Sequence, residues 1–448
     1  MAAKKTGKTA VKKTGRASPK KTPAKPASAT SPAGVIATEA MVPQGAQDLE
    51  DKDVRIRAFA HSFNTSEHLY VVQASNAPNP YFLRRPTGVI ELDLDLGGGF
   101  PAGGCCFISG PDNSGKTWLM LRCMAWQQRL FGSACRLGYA LTEGAFPYGQ
   151  ALNAGLRVYV PDGIIEQWQE WRRLRDMPPY TLEEIAVFQQ PEVNDQLHIL
   201  RGATGEDVLT IMLEAVRINA FSVLACDSLN GLQSAVDSEK ELTKGEKVAA
   251  QATMINRFFK KYIPITTGFN NPNQTTVLFT QQVRANQERA NAPSYMKAWI
   301  PEFVSSGGGW SAKHFKLIGL GLQDGKLIKK GEKDEKNKPV IGKMVSWFIE
   351  KGKAGTHDNK SGDVSYYYDI PGGVDEIGEL VVSGLQRGVI QMRDKKVVVV
   401  RPEDKKVLDV FTAPTQRAFR RMLEVDFDLE LALRREILSQ ANVPCLYR

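Results

Sequence analysis

Eight consecutive residues, Gly110-Pro111-Asp112-Asn113-Ser114-Gly115-Lys116-Thr117, have the types and spacing for phosphate chemistry. Glycines at 110 and 115 let the chain fold tightly, so that successive backbone N–H groups converge on an anion. The Lys116 ammonium can reach the β- and γ-phosphates of a nucleotide, and the Thr117 hydroxyl can ligate Mg2+. The pattern G-x-x-x-x-G-K-[ST] marks a phosphate-binding loop when a strand precedes it and a helix follows. Cys105-Cys106-Phe107-Ile108 is a short apolar run of the kind a buried strand has. Trp118 to Trp126 lacks Gly and Pro, as a helix would, and its N-terminus aims the positive dipole end at the anion.

Two carboxylates and an amide fall at the ends of further apolar runs. Thr204 to Ala220 has helical spacing (Val208, Ile211, Met212, Ala215, Val216) and is followed by the strand-like run Phe221 to Cys226. That run ends at Asp227, where a carboxylate would hold the Mg2+ shell opposite Thr117. Cys135 to Leu141 reads as another strand and leads to Glu143, placing a second carboxylate at the carboxyl edge of a parallel sheet, where ligands bind. Val248 to Tyr262 reads as a helix, and Thr275 to Thr280 as a strand entering Gln281-Gln282-Val283-Arg284. An amide at such a tip either senses the γ-phosphate or is an ordinary surface glutamine.

The remaining stretches are less specific. Residues 157–196 contain Gln167 to Arg175, rich in Trp and Arg, then Pro178-Pro179, and read as an inserted helix and turn. An amphipathic helix packing on the core explains them more simply than nucleic-acid contact does. Residues 285–309 form a long polar stretch with Arg289, Tyr295, Lys297 and Trp299, closing on Gly307-Gly308-Gly309. Long loops in compact domains are commonly functional, and aromatics interleaved with cations suit single-stranded nucleic acid. From Phe315 to Ile349, two or three β segments flank a charged hairpin at Lys326–Lys338, and Lys351 and Lys353 follow. Pro371-Gly372-Gly373 marks a boundary before a small mixed module of helix, strand (Lys396 to Val400) and further helices.

The chain has 448 residues and a formal charge of +9. Residues 1–34 hold nine basic residues and no acidic one, so the rest is balanced at 49 basic and 49 acidic residues. Such a tail cannot bury enough surface to offset its ordering entropy. It is either an arm that attracts nucleic acid through counterion release, a solvated tail without a dedicated partner, or a targeting segment, although a transit peptide would favour Arg over Lys. No run of eighteen or more apolar residues exists, so no membrane partner is expected. The six cysteines include no C-x-x-C pair, which suits a reducing cytoplasm and argues against a zinc ribbon or disulfide framework.

From about Thr87 to about Ser383, and more weakly to the end, the chain resembles the RecA recombinase family. Gly110 to Thr117 is close to that family's GPESSGKT; Thr87-Gly88-Val89-Ile90-Glu91-Leu92-Asp93, Thr204-Gly205-Glu206 and Gly378-Glu379-Leu380 resemble stretches at its other landmarks. The order of phosphate loop, strand-end Glu, strand-end Asp-Ser, strand-end Gln-x-Arg and K-x-K is the same. The resemblance implies an α/β fold: a RecA-like P-loop ATPase core around a central, mostly parallel twisted sheet, with a small α+β C-terminal domain. The expected boundaries are a disordered basic tail (1–45), an N-terminal oligomerisation region (46–86), the core (87–370) and the C-terminal domain (371–448). Asp53 to Ala60, within the second of these, reads as a helix or an edge strand.

The resemblance also implies roles. Residues 110–117 would hold ATP, Thr117 and Asp227 the Mg2+, and Glu143 would activate the attacking water. Tyr148 is similar to the tyrosine that stacks on adenine, Gln282 to the γ-phosphate sensor, and Lys351 and Lys353 to lysines that a neighbouring protomer inserts at the phosphates. Two loops, about Ser234–Lys247 and Ala285–Gly309, would line a filament axis, with DNA contacts from Arg284, Arg289, Lys297, Trp299, Gly307 and Gly308. The implied partners are single-stranded and double-stranded DNA and further copies of the chain in a helical filament. The implied activity is DNA-dependent ATP hydrolysis coupled to homologous pairing and strand exchange. A hexameric helicase or motor on the same core, and an ATP-switched DNA-architectural protein, are the alternatives. Trp118 departs from the family's small polar residue, residues 157–196 are additional, and no N-terminal polymerisation element is recognisable; the extra length and the tail suggest a phage-encoded or otherwise divergent member.

Overall fold

The computed structural model describes residues 83–238, 248–267, 274–285, 303–305, 314–330, 338–353, 355–356, 358–368, 370 and 372–443. The basic tail, the segment Asp53 to Ala60 and nearly all of the expected oligomerisation region lie outside the described residues.

The strands, in chain order, are β1 (Arg84–Arg85), β2 (Phe100–Pro101), β3 (Cys105–Gly110), β4 (Leu137–Leu141), β5 (Leu197–Leu200), β6 (Val223–Asp227), β7 (Thr276–Ala285), β8 (Phe303–Ser305), β9 (Ile318–Lys329), β10 (Val340–Gly352) and β11 (Ser361–Tyr367). Nine of them form one sheet in the order β11-β10-β9-β3-β7-β6-β4-β5, with β8 paired to β7. Pairing is parallel from β9 through β3, β7, β6 and β4 to β5, and antiparallel at β9/β10, β10/β11 and β7/β8. The inner parallel strands β3, β4, β6 and β7 are buried on both faces, which is why they read as continuous apolar runs.

Alternation along these strands divides the core in two. Cys106, Ile108, Ala225 and Leu278 face one side, where the helix α2 (Lys116–Phe131) packs through Leu119, Met120, Cys123 and Met124. Cys105, Phe107, Leu224, Cys226 and Phe279 face the other, against α6 (Gly205–Arg217) and α8 (Val248–Thr267). The period of two that sends neighbours to opposite faces accounts for this split. Phe107 stacks on Phe279 with ring centroids 5.4 Å apart.

Two local outcomes differ from the sequence reading and a third agrees with it. Helix α8 continues past Tyr262 through Pro264 to Thr267, and the Thr266 hydroxyl donates back to the Ile263 carbonyl at 3.2 Å. Strand β7 extends beyond Thr280 to Ala285 because β8 supplies it with a partner. In the 157–196 stretch, α4 (Asp162–Arg173) and α5 (Leu182–Phe188) send Trp168, Ile185 and Phe188 against the core, as amphipathic packing requires. Trp171 instead stays half exposed beneath the Arg175 guanidinium, 4.1 Å from the ring centroid.

Beyond residue 371, a three-stranded antiparallel sheet, β12 (Ile390–Arg393), β13 (Lys396–Val400) and β14 (Val407–Ala413), packs with α9 (Glu376–Gln386), α10 (Gln416–Val425) and α11 (Phe427–Gln440). The short helix α1 (Ile90–Asp95) contributes Ile90 and Leu94 to this cluster. Charge ties the same region to the phosphate-loop helix. Arg122 and Arg129 of α2 both pair with Glu376, Arg129 also reaches Glu430 at 2.7 Å, and Arg434 pairs with Glu430 at 3.1 Å. The Arg129 and Arg434 guanidinium groups lie 4.7 and 4.3 Å from the Trp126 ring.

One member of this region carries a charge cost. Burial raises the Glu379 carboxyl to about 7, against the pull of Arg122 and Arg434 and with the push of Asp375 and Glu376. A carboxyl whose folded pKa lies above its unfolded value binds its proton more tightly in the folded state. Stability is therefore lost as pH rises from the unfolded value, about 4.3, towards 7. Glu379→Gln should raise the melting temperature at pH 8 and leave it nearly unchanged at pH 4, as read by calorimetry. An equal shift at both pH values would contradict this reading.

Candidate nucleotide site

The parallel strands set their carboxyl ends at one edge, and the candidate residues gather there. β3 ends at Gly110, in register with Gln282 on β7; β6 ends at Asp227, in register with Leu141 on β4, two residues before Glu143. The loop after β3 turns through Asn113 (φ 60°) and Gly115 (φ 89°), and Gly115 caps α2. A Cβ on Gly110 would run into the Ser114 hydroxyl and lie 2.7 Å from the Leu322 carbonyl, so the first loop position needs glycine.

The Thr117 hydroxyl donates to Asp227 Oδ2 at 2.9 Å. The same oxygen accepts from the Tyr139 hydroxyl at 2.8 Å, and Asp227 Oδ1 accepts from Thr280. Tyr139 and Thr280 are therefore supports that the sequence reading missed. Both sit inside apolar strand runs, and only the strand order reveals that they face Asp227. Burial, then the Asp227 charge, drives the Tyr139 phenol well above its ordinary pKa and keeps it a donor. Threonine and carboxylate oxygens fit a hard cation such as Mg2+.

Glu143 accepts a hydrogen bond from the Ser228 hydroxyl, and the Thr142 hydroxyl donates to the Ser228 carbonyl at 2.8 Å. The Asp227–Ser228 peptide is cis. Gly231 passes close to this carboxylate: a Cβ there would lie 2.6 Å from Glu143 Cγ and 2.9 Å from the Thr142 carbonyl. Lys116 donates to the Pro111 carbonyl at 2.6 Å. Burial lowers its pKa, offset by Asp112, Asp227 and Glu143 and reinforced by the charge of Lys343. The Gln282 side chain donates to Asp112 Oδ1 at 2.8 Å, placing the amide on the loop itself.

A cavity of about 360 Å3 opens beside the loop, lined by Asn113, Gly115, Lys116, Thr117, Trp118, Gln150, Lys343, Val345, Tyr366 and Tyr368. Trp118 meets Tyr366 edge-on at 4.9 Å, and Tyr366 meets Tyr368 at 5.5 Å, so the unexpected tryptophan belongs to an aromatic wall. The sequence reading missed Lys343, Tyr366 and Tyr368, because β10 and β11 reach the loop through pairing, not through any motif. Tyr148 opens the helix α3 (Tyr148–Asn153) and lines a separate cavity of about 200 Å3 with Phe146, whereas Gln150 of that helix reaches the loop cavity.

Lys351 and Lys353 lie elsewhere. Lys351 is in register with Gly319, and the next residue, Gly352, with Ile318; Ile318 in turn pairs with Cys106, at the start of β3. The lysines thus occupy the edge of the sheet opposite the phosphate loop. Lys351 donates to the His314 carbonyl at 3.2 Å, and burial, then Lys353 and Lys316, depresses its pKa. Of the expected DNA contacts, Arg284 lies on β7 in register with Val304. Arg289, Lys297, Trp299, Gly307 and Gly308 lie outside the described residues, as does most of the loop 234–247 beyond the short helix α7 (Ala235–Ser238).

No protein-family model matches the chain. It is 25% identical over 309 residues to Protein RecA of Bacteroides thetaiotaomicron, covering 68% of this chain and 74% of that one. It is 26% identical over 310 residues to Protein RecA of Geobacter metallireducens, covering 68% and 72%. Protein RecA of Oleidesulfovibrio alaskensis is 26% identical over 350 residues, covering 77% and 82%. Over 68% to 77% of its length the chain is thus similar to RecA proteins, as a divergent relative would be. The large, mostly parallel sheet is consistent with a RecA-like core, and no described helix is long and apolar enough to cross a membrane.

Proposed function

We propose that this protein is a DNA-dependent ATPase of recombination and repair. It forms ATP-bound helical filaments on single-stranded DNA, pairs that strand with homologous duplex and exchanges strands. The observation that carries this reading is the contact between Thr117 and Asp227 at 2.9 Å, with Glu143 on the adjoining strand end. A hydroxyl and a carboxylate converge where a metal-bound triphosphate would sit, and a second carboxylate stands by for water. Thr117 and Asp227 would hold Mg2+, which would supply positive charge against the charge that develops on the phosphates.

The chain's own residues account for the rest. Backbone N–H groups of 110–117 and the α2 N-terminus bind the polyphosphate, and Lys116 exchanges the Pro111 carbonyl for a phosphate oxygen. Glu143, oriented by Ser228, takes a proton from the attacking water. Gln282, bonded to Asp112, links the loop to β7, which leads into residues 285–309, our proposed DNA-binding loop. Lys351 and Lys353, at the far edge, act on a neighbouring protomer's nucleotide. Residues 87–370 are the ATPase unit and 371–448 a C-terminal domain braced on α2, with duplex and single-stranded DNA, ATP and Mg2+ as ligands.

Negative-stain electron microscopy of the full chain with single-stranded DNA and a non-hydrolysable ATP analogue tests this. Open helical filaments are expected, absent in the Lys351→Ala, Lys353→Ala double variant. Closed rings would favour a motor on the same core, and the absence of any assembly would sink the filament reading.

A further inference from the structure

Lys343 stands at the nucleotide cavity through sheet geometry alone. On β10 it shares a face with Val345, two residues on, and a Cβ at Gly115 would lie 3.7 Å from the Val345 side chain. That face of β10 is therefore packed on the phosphate loop. Across the pairing with β11, Lys343 is in register with Tyr366, part of the aromatic wall. The Lys343 side chain is only 14% exposed, and its ammonium donates to the Asn113 carbonyl and pairs with Asp324 at 3.0 Å.

Two ammonium groups thus donate to carbonyls of one anion-binding loop, Lys116 to Pro111 and Lys343 to Asn113. The Lys343 charge also bears on Lys116, in the direction that repulsion requires. Two like charges on a loop built for anions are relieved by a polyanion between them. A phosphate oxygen is a stronger acceptor for ammonium than a neutral carbonyl is, because both partners are charged.

We propose that Lys343 is a second cation that binds the polyphosphate of the nucleotide within the same protomer, and that Asp324 is the carboxylate that holds it when phosphate is absent. This rests on the nucleotide site proposed above. It is separate from the role of Lys351, eight residues further along β10 and roughly 26 Å away at the ordinary rise of a strand.

The test is equilibrium binding of fluorescent ATP, ADP and AMP analogues to the full-length protein, without DNA. Lys343→Met should weaken ATP about tenfold or more, as expected for losing a hydrogen bond between charged groups. ADP should lose less and AMP almost nothing, and Lys343→Arg should keep most of the affinity. Asp324→Asn, which frees the ammonium, should tighten ATP. Equal losses for all three nucleotides would show that Lys343 merely braces the loop and would overturn the proposal, as would unchanged ATP affinity in Lys343→Met. Lys116→Ala separates the two readings. If wild type binds ATP and Lys116→Ala abolishes binding while Lys343→Met does not weaken it, only the role of Lys343 falls. If wild type binds no ATP, the nucleotide site itself falls.

Discussion

Glu143→Gln should lower DNA-stimulated ATP turnover by about 10^2- to 10^4-fold, the usual share of a general base, while ATP affinity stays close to that of wild type. The substitution keeps the size of the side chain and its contact with Ser228 but removes the proton acceptor. Glu143 has no hydrogen bond to Lys116 or Thr117 among the described contacts; its bond is to the Ser228 hydroxyl. Binding and hydrolysis should therefore separate cleanly. Gly231→Ala offers a check through packing. Its Cβ would lie 2.6 Å from Glu143 Cγ and must displace the carboxylate or the turn behind it. Turnover should fall in the same direction without any change of chemical group. A Glu143→Gln protein that hydrolyses ATP at the wild-type rate would remove this carboxylate from the mechanism and favour a water held by other groups.

The Lys351→Ala, Lys353→Ala double variant should lose about 10^3-fold or more of ATPase activity, as P-loop enzymes do when the cation supplied in trans is removed. The register of β10 places these lysines at the edge opposite the loop, beyond the reach of a lysine side chain. Lys116→Ala should also be inactive, for a different reason: its own loop is disabled. In an equal mixture of the two inactive proteins on single-stranded DNA, some interfaces join an intact loop on one protomer to intact lysines on the next. Random heterologous assembly would return up to roughly a quarter of wild-type activity. Action within one protomer predicts no recovery at all, so steady-state hydrolysis by the mixture decides the matter.

The candidate phosphate loop stands out in the sequence because its residues are local. Gly110, Gly115, Lys116 and Thr117 are consecutive or nearly so, and the residues that flank them carry strand and helix patterns of their own. Asp227 and Glu143 were legible for a related reason: each ends an apolar run, and in a parallel sheet the carboxyl ends of such runs share one edge. The double burial of β3, β6 and β7 likewise follows from unbroken apolar sequence. Helix α8 runs past the expected end at Tyr262 because the packing of Ile263 and Ile265 against the core carries it through Pro264, a residue that ordinarily breaks a helix.

Tyr139, Thr280, Tyr366 and Lys343 were not legible. Each sits in a stretch whose local pattern speaks only of strand or turn, and each meets its partner across a long chain separation. Thr280 and Asp227 are 53 residues apart, and Lys343 and Asn113 are 230 apart. Short-range spacing and periodicity encode the glycine-rich loop 110–117, its flanking strand and helix, and the carboxylates that end the neighbouring strands, so the chain alone reveals them. The folded chain alone shows which hydroxyls meet Asp227 and Glu143, that Lys343 faces the protomer's own loop, and that Lys351 and Lys353 do not. Those outcomes depend on strand order and register, which pair residues distant in the chain and leave no local trace.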